Sequence, residues 1–201
     1  HVDPILHILV LTYEFDDLQL QNLVCGNDLE SDFELRQAQL KVLCDIRPVV
    51  IYDARKTKEA LRLPQFLELH PWKSKAWSCH HSKAYLIVTT KQVNLVLGSF
   101  NLTFTGLFRN REVFEQLKWS IDDAAESNSP SLLREWISFL TAYCLTRLQE
   151  SSRSALKQIV DTLNVRLGML SSPESVATEH VLASGYQPAA GDATGDPVSK
   201  G

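Results

Sequence analysis

The chain has 201 residues, 44% of them apolar and 22% charged, with a formal net charge of −4. That is enough apolar material for one full-sized core plus a tail, and it argues against a disordered polyelectrolyte or a generic nucleic-acid coat. Four scattered cysteines (Cys25, Cys44, Cys79, Cys144) form no C-x-x-C pair, no apolar run is long enough to span a bilayer, and nothing resembling a secretory leader precedes the first apolar segment, so a cytoplasmic protein is expected.

Ile5 to Tyr13 is a near-continuous run of branched apolar residues closed by Glu14, Phe15, Asp16 and Asp17, the pattern of a central strand buried on both faces. Asp16 and Asp17 open a predicted helix through Val24, ended by Gly26 and Asn27. Ser31 and Glu34 have capping-box spacing and start a second helix to about Cys44. Pro48 precedes a second buried strand, Val49 to Tyr52. Arg55 to Leu69 reads as helix or loop with a break at Pro64, and Trp77 to Thr89 as another strand. The short polar link Thr90-Lys91-Gln92 then turns the chain into a hairpin with Val93 to Phe100. Arg111 to Leu117 suits one more strand. Ser129 and Pro130 suit a helix start, after which Leu132, Leu133, Trp136, Ile137, Leu140, Tyr143, Cys144 and Leu148 recur at helical spacing, and a last amphipathic helix spans about Ser154 to Leu170. The expectation is an α/β domain over residues 1–172, a sheet with helices on both faces. Its central hairpin covers about 77–101 and its C-terminal helices about 130–170, and residues 173–201 are expected to be a disordered tail because they carry few large apolar groups.

The chemistry-bearing residues cluster on that hairpin. In a strand, residues two apart share a face, so His81 and Lys83 point together, as do Ser99 and Asn101. A turn centred on Lys91 sets His81 opposite Asn101 and Lys83 opposite Ser99, on one face. Such a face offers an imidazole able to attack phosphorus, an ammonium to neutralise phosphoryl oxygens, and hydroxyl and amide groups to hold them. Between His70 and Lys118 there are seven basic residues (Lys73, Lys75, Lys83, Lys91, Arg109, Arg111, Lys118) against two acidic ones, Glu112 and Glu115, a local positive field suited to a polyanion. Lys73, Lys75, Trp77, Arg109 and Arg111 are the wider substrate-binding candidates, although tryptophans such as Trp72 and Trp77 more often cap a core. His80 should face away from His81. Cys79, His80 and His81 have no spaced second pair of ligands, so no metal site is read and no cofactor is expected.

An H-x-K triplet alone is weak evidence. Gly98-Ser99-Phe100-Asn101-Leu102-Thr103, Gly106-Leu107 and Asn110-x-Glu112 follow His81-x-Lys83, and the whole string resembles the phospholipase D superfamily, in particular its bacterial nuclease-like and helicase- or restriction-associated branch. The resemblance covers roughly Leu6 to Leu117, with its specific motifs confined to His81 to Glu112. It implies a metal-independent phosphodiesterase, of nuclease type on DNA or RNA, that forms a phosphohistidine. His81 would be the nucleophile or its partner acid, Lys83 and Asn101 phosphate ligands, Ser99 a support of the strand or of an oxygen, and Glu112 a carboxylate orienting the histidine. The family's motif aspartate, five residues after the lysine, is replaced by Val88; tyrosyl-DNA phosphodiesterases also lack it and remain active. The family's site needs two histidines, and only one H-x-K occurs here, so the resemblance implies a homodimer or a second catalytic half in a longer parent chain. A silent nucleic-acid-binding or assembly subunit is the alternative reading, and phospholipid hydrolysis a third that no membrane signal supports.

Overall fold

Six strands make one mixed sheet in the order β3-β2-β1-β4-β5-β6: β1 (Ile5–Thr12), β2 (Val49–Asp53), β3 (Glu68–Trp72), β4 (Ala84–Thr89), β5 (Gln92–Gly98) and β6 (Phe114–Ser120). The computed structural model describes residues 3–16, 41–55, 67–72, 79–123, 125 and 127–170. β1 to β3 are parallel, whereas β4 runs antiparallel to β1 and continues into β5 and β6 as an antiparallel meander. Around the sheet lie a helical segment at residues 41–46 and three labelled helices: α1 (Phe104–Phe108), α2 (Pro130–Phe139), which runs on as a π-helical segment (Leu140–Leu145), and α3 (Glu150–Leu170).

The continuous apolar character of the strands has a direct cause, because both sheet faces are covered. On one face Leu9, Leu11, Val49, Ile51, Leu86, Val88, Leu95 and Trp119 pack with Leu133, Leu140, Leu156 and Leu163 of the C-terminal helices. On the other, Ile8, Val10, Val50 and Tyr85 pack with Leu43, Phe15 and Leu102, and Leu107 leans against them. β1 therefore sends alternate residues into two different cores. Ser129 caps α2 with Pro130 in its first turn, and the indole of Trp119 donates to the Ser129 carbonyl at 3.0 Å, which ties the helix start to β6. The mixed α/β sheet between helices is the expected class.

Three differences from the sequence expectation bear on the site. β3 starts at the end of the segment expected as helix or loop, Arg55 to Leu69, and runs on through Pro71 to Trp72, where no element was expected; it is an edge strand, where a missing N–H leaves no ladder bond unmade. β4 begins only at Ala84, so residues 79–83 are irregular backbone rather than strand. The hairpin pairs Ala84 with Leu97 and Tyr85 with Val96, one residue out of step with a turn centred on Lys91. Its turn is Thr90-Lys91 alone, clamped by the Asp3 carboxylate, which accepts from both threonine hydroxyls, Thr89 and Thr90, and from the Lys91 amide at 3.2 Å. The expected helices between residues 17 and 40, the Pro64 break, the tail, and Lys73, Lys75 and Trp77 lie outside the described residues.

Candidate active site

Both halves of the motif meet at the C-terminal end of β1, where α/β sheets commonly place their functional groups. From one side, Leu102 donates its amide to Thr12 Oγ1 at 3.2 Å and accepts from the Asp16 amide at 2.7 Å, and it forms a bridge with Phe15. This pins the segment that follows Asn101. From the other side, the Tyr13 ring packs on His81 with centroids 4.9 Å apart and lies 5.6 Å from the Lys83 ammonium.

His81 is exposed, while Lys83 is only 7% exposed. The Lys83 Nζ lies 2.8 Å from His81 Nδ1 and 3.0 Å from Nε2, and donates to the His81 carbonyl at 2.9 Å. A neutral imidazole has one nitrogen lone pair to accept such a donor, whereas an imidazolium has none. Partial burial of the ring and the Lys83 charge together hold the His81 pKa below its ordinary value, which favours the neutral ring. Burial also lowers the Lys83 pKa, opposed by the nearby Cys79 and Glu112.

The second half of the motif is built by close contacts that need its glycines. A Cβ on Gly98 would meet the Phe100 ring at 2.5 Å, and that ring is stacked on Tyr85 at 4.8 Å, with the Tyr85 hydroxyl donating to the Phe100 carbonyl at 3.0 Å. A Cβ on Gly106 would meet the Asn101 carbonyl oxygen at 2.5 Å, so this glycine lets α1 close onto the Asn101 backbone. The Asn101 side-chain oxygen is buried without a partner among the described residues. An orphaned amide of this kind has hydrogen-bonding capacity left for a ligand oxygen once the amide is turned.

Glu112 braces this half of the site. It accepts from the Ser99 hydroxyl and, at 3.1 Å, from the Asn110 amide; the Val113 amide in turn donates to Ser99 Oγ at 3.1 Å. The Ser99 and Asn110 hydrogen bonds, with the Lys83 charge added, hold its pKa below the ordinary carboxylate range against the opposing effect of burial. Glu112 thus lies within electrostatic reach of Lys83, and its hydrogen bonds go to Ser99 and Asn110. Gly98 donates its amide to the Lys83 carbonyl at 3.1 Å, so Lys83 lies opposite Gly98 at the end of β5 rather than opposite Ser99 as expected.

Two residues that the motif does not contain stand directly behind it. His80 is wholly buried and points away from His81, its ring stacked on Trp72 at 4.8 Å and 22°. Burial pushes its pKa down to about 4. Asp53, at the end of β2 and wholly buried, accepts from the His80 amide at 2.8 Å and from Arg55 through Nε at 3.0 Å, Nη2 at 2.9 Å and the backbone amide at 3.0 Å. Burial opposes its ionisation, but these donors win and hold the carboxyl far below its ordinary range. The one sequence signal for Asp53 was a carboxylate closing the apolar run Val49 to Tyr52. Arg109 and Arg111 are exposed on either side of Asn110. Val88 is a wholly buried core residue of β4, so that position supplies packing.

No family model and no curated protein matches the chain. Among solved structures it is similar to a mutant form of the yeast tyrosyl-DNA phosphodiesterase, a phospholipase D superfamily member, at a TM-score of 0.51 and 11% identity, over 80% of this chain and 35% of that one. The chain therefore spans about a third of that protein's length. At this identity the likeness speaks for the backbone, and the architecture that positions His81, Lys83 and Asn101 is a phospholipase D-like α/β fold.

Proposed function

We propose that residues 1–172 form one catalytic half of a metal-independent phosphodiesterase acting on DNA. The observation that carries the reading is the buried Lys83 ammonium against the ring of an exposed His81, at the end of the central strand, beside a second motif half whose amide oxygen is unpartnered. The yeast protein whose solved structure is similar is, by its name, a tyrosyl-DNA phosphodiesterase. In the proposed reaction a His81 ring nitrogen attacks phosphorus, forming a P–N bond as the P–O bond to the leaving oxygen breaks. Lys83 and Asn101 hold the non-bridging oxygens where negative charge develops. A second histidine gives the leaving oxygen its proton, then takes one from the water that splits the P–N bond.

That second histidine comes from another copy of this motif. Val113 and Phe114 support a second copy of the chain as its source: they are 78% and 63% exposed and follow Glu112, Val113 just before the edge strand β6 and Phe114 as its first residue. An apolar rim beside an incomplete site is suited to a covering partner. Phe114→Asp is expected to convert a dimer into a monomer in sedimentation and to lower specific activity; a wild-type protein that stays monomeric and fully active on dilution would overturn the dimer.

The function is tested by incubating single- and double-stranded DNA with the protein in excess EDTA. Wild type is expected to cleave, and His81→Ala to lose about a thousandfold or more of the rate. Equal rates in both would sink the proposal. If neither cleaves while His81→Asn keeps salt-sensitive DNA binding, the alternative of a silent binding subunit is the right one.

A further inference from the structure

We propose that Asp53 is the positioning residue of this site, a buried carboxylate that holds His81 in place through the backbone of His80. The inference rests on the reading that His81 is the attacking group, and extends it to a residue outside the motif.

The need for such an anchor follows from the irregular backbone of residues 79–83, which no strand ladder pairs before Ala84. Among the described residues, the His81 ring hydrogen-bonds to Lys83, the carboxylate of Glu112 is taken up by Ser99 and Asn110, and Val88 occupies the place of the motif aspartate. Among the described residues no carboxylate hydrogen-bonds the ring. Lys83 holds the His81 carbonyl and Gly98 the Lys83 carbonyl, and residue 80 adds an anchor from the other side. The His80 amide donates to Asp53 Oδ2, the His80 ring stacks on Trp72, and Trp72 stacks in turn on Tyr143 at 5.0 Å and 27°. The amide of residue 80 is held by Asp53 and its ring by Trp72, while the His81 ring packs on Tyr13 and meets Lys83, so the two neighbouring side chains point apart.

The chemistry of Asp53 fits this role. A fully desolvated carboxylate is costly unless it is paired and fully hydrogen-bonded. Arg55 supplies the charge pair and a backbone N–H, and the amide of His80, the residue before His81, donates to the same carboxylate from the motif side. The contact joins β2 to the motif across 27 residues of chain. It lies behind the ring and away from the face open to substrate, so Asp53 acts through His80 and does not touch the phosphate.

Three measurements test the proposal. In the wild type, a scalar coupling across the hydrogen bond between the His80 amide nitrogen and the Asp53 carboxyl carbon is expected by NMR; its absence overturns the anchor whether or not any variant folds. In Asp53→Asn, verified as folded by its amide spectrum, kcat for DNA cleavage is expected to fall about 10- to 100-fold with KM within about twofold, as for a misplaced reacting group. The His81 ring in the same variant is expected to titrate nearer its ordinary value, because it drifts from Lys83. An unchanged His81 titration in folded Asp53→Asn overturns the proposal. If wild type itself does not cleave DNA, the functional reading fails, while the coupling and the His81 titration still decide the role of Asp53.

Discussion

Lys83→Met is expected to slow turnover by about a hundred- to a thousandfold, the usual loss when one preorganised transition-state donor is removed, and to move the acid limb of the pH profile upward. Methionine keeps the aliphatic volume of a side chain that is only 7% exposed, so the fold has little reason to change. The ammonium sits 2.8 and 3.0 Å from the two ring nitrogens of His81, where it disfavours the imidazolium. Partial burial lowers the His81 pKa first and the Lys83 charge lowers it further. Removing the charge therefore raises that pKa, and the neutral, attacking form is lost at a higher pH than in the wild type. Rate profiles between about pH 5 and 8, with His81 titrated in parallel by NMR, measure both effects. A variant that is slow but keeps the wild-type limb would show that Lys83 binds phosphate without tuning His81.

His80→Phe is expected to remove a large part of the acid sensitivity of folding while leaving stability at neutral pH equal or higher. His80 is wholly buried with both ring nitrogens unpartnered among the described residues, and burial holds its pKa at about 4. The unfolded chain binds a proton at this residue near 6.5, which the native chain refuses until pH 4. Native stability is therefore lost as the pH falls through that window, by roughly 3 kcal/mol when it has been crossed. Phenylalanine keeps the stack on Trp72 and leaves no orphaned nitrogen in the core. His7 and His70, both lowered by burial, supply the pH dependence that stays behind. Urea midpoints at pH 7 and pH 4.5 for the two proteins measure the difference; parallel losses on acidification would refute this account of His80.

Local pattern made much of the architecture legible. Leu9 and Leu11 alternate with Ile8 and Val10 in a run that only a strand buried on both faces tolerates, and Ser129-Pro130 starts α2 as its capping chemistry requires. His80 and His81 do point apart as expected, but on irregular backbone, where Trp72 and Asp53 hold one and Tyr13 and Lys83 meet the other. β3 was hidden because Pro71 reads as a strand breaker until its place at the sheet edge is known.

The sequence by itself thus determined the fold class and the identity of the motif side chains, since periodicity and spacing are properties of neighbouring residues. Tertiary structure alone decided how those side chains are held. The hairpin register depends on Asp3, which clamps Thr89, Thr90 and Lys91 from the far end of the chain segment. Glu112 is committed to Ser99 and Asn110 by the pairing of β5 with β6, and Asp53 reaches the His80 amide only because β2 ends beside the motif. The Asp3 clamp, the Ser99–Glu112 bond and the Asp53–His80 bond join residues distant in sequence and are made by chain packing, whereas Asn110 and Glu112 are neighbours in the chain.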